Sequence, residues 1–278
     1  MNDKIETAGW FSFRLHHWSV RPRQCAGWPH QPDRGGRSAV LVEYIFHSGF
    51  LLETADCYYL FDYYQGELPL LKVQKPIVVF SSHAHKDHYQ PDIFVQLRAR
   101  GMRDVLAVLS KDIPEKRYPP DTEVLKVYAG QSYSLPLGER LETLQSTDCG
   151  VAFVLTTGED TVYHAGDLND WCWSGADAQE NRQMRGNYRH EIDRLRGVAI
   201  DDAFVVLDPR QEEHFADGML YLLQTLSVKR VYPMHYWRQP EIITQFLRRY
   251  PQYQGIIQQT ETIREVTNHE MQNDSPEL

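Results

Sequence analysis

The sequence predicts an α+β domain in which β-sheets are covered by helices, and three observations carry that prediction. Strand-length apolar runs follow one another closely from Leu41 onward. Helix-length stretches are interspersed among them through the rest of the chain. The run Ile77-Val78-Val79-Phe80 reads as a buried strand and leads into His83-Ala84-His85-Lys86-Asp87-His88.

Taken in order, Leu41–Phe46, Leu51–Glu53 and Tyr58–Phe61 read as a meander broken at Ser48-Gly49 and Ala55-Asp56. Ile77–Phe80 follows, and Pro91–Arg98 reads as a helix. Val105–Leu109, Val124–Val127, Leu141–Leu144, Val151–Leu155 and Thr161–Tyr163 are further strands. Residues 177–195 are polar and helix-prone, with Gly186 expected to interrupt them. Ala203–Leu207 is read as a strand, Gly218–Leu226 as a helix, Arg230–Pro233 as a strand and Glu241–Arg248 as a helix.

The chain of 278 residues is long enough for one large domain with ample core. That domain is expected over residues 41–266, between an N-terminal extension of residues 1–40 and a polar tail of 267–278. The extension holds three of the six tryptophans and shows neither helical nor strand periodicity. It carries six basic against three acidic residues, opposite in sign to the net charge of −9 on the whole chain. This acidity argues against a nucleic-acid or anionic-membrane partner and leaves a small-molecule substrate. Oligomeric state is not legible. No apolar run approaches the ~20 residues of a membrane span, and the start lacks the apolar core of a secretory signal. The four cysteines are scattered without metal-binding or disulfide spacing, as expected for the cytoplasm.

Three histidines and an aspartate within six positions at a strand end point to a metal site. In an extended segment His83, His85 and Asp87 share a face, and a turn at Lys86-Asp87 brings His88 round. Imidazole and carboxylate at this density suit zinc, manganese or iron. Further donors stand at other strand ends: Asp148 ahead of Val151–Leu155, Asp167 after Thr161–Tyr163, and His235 after Arg230–Pro233.

The His83–His88 cluster, Gly166-Asp167 and Pro233-Met234-His235 resemble the metallo-β-lactamase superfamily in order and spacing. His47-Ser48-Gly49-Phe50 and Leu60-Phe61-Asp62 resemble its opening strands. The resemblance spans about residues 41 to 260. Tyr163-His164-Ala165-Gly166-Asp167 and Pro233-Met234-His235-Tyr236 look most like the branch that contains ascorbate-6-phosphate lactonase. It implies a four-layer αββα sandwich with two divalent metal ions in a cleft at the sheet edges. It also implies a metal-dependent hydrolase that directs an activated hydroxide at a small anionic lactone, ester or phosphodiester, with Asp87 as a catalytic proton acceptor.

One departure stands out. The superfamily's further histidine between the cluster and the Gly-Asp segment has no counterpart here, since no histidine lies between His88 and His164. Asp148 stands where that ligand is expected, with a turn-capping role as the competing reading. The expected ligand sets are His83, His85 and Asp148 for one ion, and Asp87, His88 and His235 for the other, with Asp167 bridging. His164 and Asp62 read either as partners that orient the metal ligands or as ordinary buried and turn residues. His47 reads as cleft lining or as a turn residue. Trp171 and Trp173 read as substrate-cleft walls or as packing. Arg210 reads as an anion-binding residue or as an ion pair with Asp208 or Glu212. Cys172 has no base near it in sequence and is not expected to be a nucleophile. Two other readings remain open: a mononuclear iron oxygenase on the same fold, and a non-catalytic metal-binding regulatory protein.

Overall fold

The computed structural model describes residues 40–158 and 160–260. Nearly all of the expected N-terminal extension and the whole of the polar tail lie outside the described residues.

The first half of the domain is one six-stranded sheet in sequence order. It runs β1 (Leu41–Phe46), β2 (Gly49–Glu53), β3 (Tyr58–Phe61), β4 (Ile77–Ser81), β5 (Val105–Ser110) and β6 (Glu123–Val127). The three opening strands pair antiparallel, and β3 to β6 pair in parallel. Every side chain of β4 is buried, as a strand covered on both faces requires. On one face of this sheet Ile45, Leu51, Leu60 and Val79 pack with Ile93, Phe94 and Leu97 of α1 (Asp92–Ala99). The opposite face points inward.

The second sheet is β7 (Ser132–Ser134), β8 (Arg140–Gln145), β9 (Val151–Thr157), β10 (Asp160–His164), β11 (Ala199–Val206) and β12 (Ser227–Met234). Strands β7 to β10 pair antiparallel, and β10 to β12 pair in parallel. The parallel crossovers carry α2 (Ala178–Asp193) and α3 (Asp217–Thr225), and α4 (Glu241–Arg249) follows β12. Between the sheets lies an aromatic core in which Phe50, Phe61, Phe80, Phe153 and Phe204 meet. The order of layers is the expected αββα sandwich.

Three elements differ from the sequence reading. Gly186 does not interrupt α2; it sits on an exposed face with open space around it, so the helix absorbs it. Strand β11 begins at Ala199 and includes Asp201 and Asp202, charges that disguise a strand. Arg230 lies opposite Asp202 on β12 and binds it with Nε and Nη2 at 2.6 and 2.7 Å, which makes the buried charge tolerable. The short β7 has too few apolar residues to announce itself.

Candidate metal centre

Parallel pairing puts like strand ends together, and those ends build the site. β1, β3 and β4 run the same way, so the residues after them emerge on one edge: His47, Asp62 and the His83–His88 loop. In the second sheet β10, β11 and β12 deliver Asp167, Asp208 and His235 to the same region. The loop before β9 brings Asp148, because β9 runs antiparallel to β10. The sheets are tied there by Val151 N, which donates to the Ser82 carbonyl at 3.0 Å. A Cβ on Gly150 would stand 1.9 Å from that carbonyl oxygen, so only glycine allows the approach. His47, Asp62 and His235 all adopt left-handed backbone, with φ of 59, 40 and 68°. Such strain in non-glycine residues gathers at functional sites.

At the centre lies the Asp167 carboxylate. Its Oδ1 is 3.2 Å from His88 Nε2 and 3.4 Å from His235 Nε2, and its Oδ2 is 3.4 Å from His83 Nε2. Each of these imidazoles is held from behind through Nδ1. His88 donates to Asp62 Oδ2 at 2.7 Å, and His235 donates to Asp208 Oδ2 at 2.8 Å. Ser82 Oγ spends its hydrogen on Asp62 Oδ2 at 2.7 Å and therefore accepts from His83 Nδ1 at 2.9 Å. All three rings thus aim Nε2 at one point, where a metal ion could take the place of a proton. Nε2 of His83 and His88 and Oδ1 of Asp167 are buried without a hydrogen-bond partner among the described residues. Orphaned buried acceptors cost about 1–3 kcal/mol each, and a cation among them removes that cost. The donor set fits a metal centre.

The charges agree. Burial depresses the His83 imidazole to about 4, with His88 adding to the effect. Burial also opposes protonation of His88, but Asp167 and Asp62 outweigh it and push it up to about 9. Burial would raise the Asp167 and Asp87 carboxyls, yet the surrounding histidines hold both below the ordinary carboxylate range. Asp62 is pushed down to about 2 in the same way, burial being outweighed chiefly by His88.

Of the two expected sets, Asp87, His88 and His235 come together, joined by His47, whereas His83 groups with His88 and Asp167 and not with His85 and Asp148. Ligand atoms of His83, His88 and Asp167 lie within 4.8 Å of one another, as do those of His47, Asp87, His88 and His235. His85 and Asp148 instead group with Cys149 on the exposed side, where His85 Nδ1 is 4.0 Å from Asp148 Oδ2. The rings of His83 and His85 still touch, with centroids 4.6 Å apart, so this exposed group adjoins the buried one. Asp148 is raised by burial and by the nearby Asp167.

The other candidates surround this centre. His164 donates Nε2–H to the Ser48 carbonyl at 2.9 Å and accepts from Gly166 N at 3.2 Å, so it shapes the turn before Asp167 without touching its carboxylate. Trp171 donates to the Asp167 carbonyl at 2.8 Å and packs edge-on to His235, and Trp173 stacks on it nearer to solvent. Arg210 gives Nε and Nη2 to Asp208 at 3.0 and 2.5 Å, the ion-pair alternative of the sequence reading, and lies over Trp237. Sequence reasoning saw Asp208 only as a partner of Arg210. Its hold on His235 arises from the β11–β12 register, which pairs Val206 with Met234.

No protein-family profile matches the chain, and no curated protein matches it. Solved structures do. Igni18, a metallo hydrolase from Ignicoccus hospitalis, aligns with a TM-score of 0.55 at 18% identity over 79% of this chain and 94% of its own. The metallo-β-lactamase fold protein YhfI from Bacillus subtilis aligns at 0.50 and 14% identity, over 78% and 94%. CmlA, a diiron β-hydroxylase from Streptomyces venezuelae, aligns at 0.52 and 13% identity, over 81% of this chain and 53% of its own. The strand-end ligand edge and these alignments together give the architecture its name: the chain has the metallo-β-lactamase fold.

Proposed function

We propose that this protein is a metal-dependent hydrolase acting on a small anionic substrate with a lactone, ester or phosphodiester bond. The observation that carries the proposal is the set of three Nε2 atoms, on His83, His88 and His235, each held from behind and converging on Asp167 within 3.4 Å. Two divalent ions bound there, zinc first and manganese or iron as alternatives, would bring a water toward a pKa of ~7 and stabilise developing negative charge.

The chain's own residues then have distinct roles. His83, His88, Asp87, Asp167 and His235 hold the ions, with His85 and Asp148 completing the solvent side. Asp87 is one-quarter exposed, so its carboxylate is within reach of the attacking water as a proton acceptor. Trp171 and Trp237 both pack against His235, and Trp173 stacks on Trp171, so these rings would wall the substrate beside the centre. Arg210, half-exposed, supplies positive potential for an anionic group while bound to Asp208. The resemblance of Tyr163–Asp167 and Pro233–Tyr236 to the ascorbate-6-phosphate lactonase branch supports lactones as the first substrates to try. No helix among the described residues is long and apolar enough to cross a membrane. Cys57, Cys149 and Cys172 are free thiols, as a reducing, cytoplasmic setting would keep them.

The test is metal analysis of the purified protein, followed by a screen of lactones, esters and phosphodiesters after reconstitution with zinc, manganese or iron. About two ions per chain and hydrolysis lost in Asp87→Asn are expected. One iron per chain with oxygen consumption would favour an oxygenase, and metal binding without turnover would favour a regulatory protein.

A further inference from the structure

We infer that His47 is a metal ligand, the fourth side chain of the site formed by Asp87, His88 and His235. The inference rests on the metal-centre reading above and adds a donor that the expected ligand sets leave out.

His47 stands alone in sequence, one residue past β1, and its backbone is clamped on both sides. Its N–H donates to the Tyr44 hydroxyl at 2.9 Å, and its carbonyl accepts from His235 N at 3.2 Å. The left-handed φ of 59° that these bonds hold turns the ring inward, where it is 1% exposed. A left-handed residue with a Cβ costs about 1–2 kcal/mol, so the conformation must be fixed by its surroundings.

The ring meets other ligands and little else polar. Its centroid lies 4.2 Å from that of His235 and 5.6 Å from that of His88. Its Nε2 is 3.5 Å from Asp87 Oδ2, and Trp237 covers it with ring centroids 4.3 Å apart. Both ring nitrogens are buried without a hydrogen-bond partner among the described residues. His164, equally buried, is the internal control: a structural histidine in this core uses both nitrogens, one on Ser48 and one on Gly166. His47 uses neither.

The spacing suits a shared ion. Two nitrogens about 2.1 Å from one zinc ion stand no more than about 4.2 Å apart. The donor atoms of His47, Asp87, His88 and His235 already lie within 4.8 Å of one another, so small shifts close the set. With His47 included, this ion is surrounded by side chains, whereas His83 faces the exposed His85 and Asp148.

Cobalt(II), whose visible absorption reports its coordination, is the probe. Metal-free wild type titrated with Co²⁺ should take up two equivalents with separable spectra. In His47→Asn, an exchange that tolerates positive φ, one equivalent should lose its wild-type spectrum. Partners that merely orient a ligand are worth about 10- to 100-fold in affinity, so that equivalent should weaken at least about tenfold. His47→Gln, which keeps more of the side-chain length, is the second variant should the first not fold. Circular dichroism and melting of the metal-free proteins establish folding independently. Two equivalents with wild-type spectra and affinities in a folded variant would overturn the assignment. So would a drop in metal-free stability with unchanged cobalt spectra, which marks a structural histidine. Failure of wild type to bind Co²⁺ would instead sink the metal-centre reading beneath it.

Discussion

His88 Nδ1 and Asp62 Oδ2 are 2.7 Å apart and both wholly buried, a charge-assisted hydrogen bond between two strand ends of one sheet. Asp62 also accepts from Ser82 N and Ser82 Oγ, so one carboxylate orients His88 directly and His83 through Ser82. Asp62→Asn keeps the shape and tolerates the φ of 40°, but an amide has one acceptor oxygen for three donors. Metal affinity is expected to fall about 10- to 100-fold. Competition with a chelator of known affinity measures it, and an unchanged constant would mean that Asp62 serves the fold alone.

The metal-free protein should be most stable near pH 6.5. Burial lowers His47 and His83 from the ordinary 6.5 to about 4, so their contribution is present above 6.5 and lost as pH falls toward 4. His88 is raised to about 9, Asp167 and Asp62 outweighing burial, so its contribution is present below 6.5 and lost as pH rises toward 9. Urea midpoints of the chelator-treated protein should therefore decline on both sides. Added zinc should remove the alkaline decline, because the ion takes the place of the His88 proton. A midpoint flat from pH 5 to 9 without metal would refute this.

Asp148 is expected to serve one ion from the solvent side. Asp148→Ala should lower metal content toward one ion per chain, whereas Asp148→His should keep two and shift preference toward zinc. Elemental analysis after dialysis decides the matter, and full occupancy in the alanine variant returns Asp148 to a turn role.

Gly186 lies within α2 with no atom within 4 Å of an added Cβ. Gly186→Ala should stabilise the protein by about 0.5–1 kcal/mol, with metal content unchanged. A lowered melting temperature would show that the glycine answers a constraint beyond the helix.

Local patterns carried much of the reading. The His83–His88 cluster is dense enough to declare itself, and β1 and β3 follow from apolar runs bounded by turn residues. What escaped depends on distant pairing. His47 is a lone histidine after a strand, and only the meeting of β1 with the end of β12 makes it a neighbour of His235. Asp208 supports His235 across 27 residues, a relation fixed by strand register. Asp202 hides a strand because its partner Arg230 is equally remote. Sequence spacing reports donors that share a loop; it is silent on those that share only an edge.

The candidate ligand edge has two owners. His47, Asp87 and the cluster histidines issue from the first sheet, and Asp148, Asp167 and His235 issue from the second. Among the described residues the chain passes between the sheets once, in the segment from Val127 to Ser132. A cut there would leave two fragments, each with a whole sheet and neither with a whole coordination sphere. An ion gripped from both sides would act as a clasp, so reassembly of the severed halves should depend on metal and reverse with chelator.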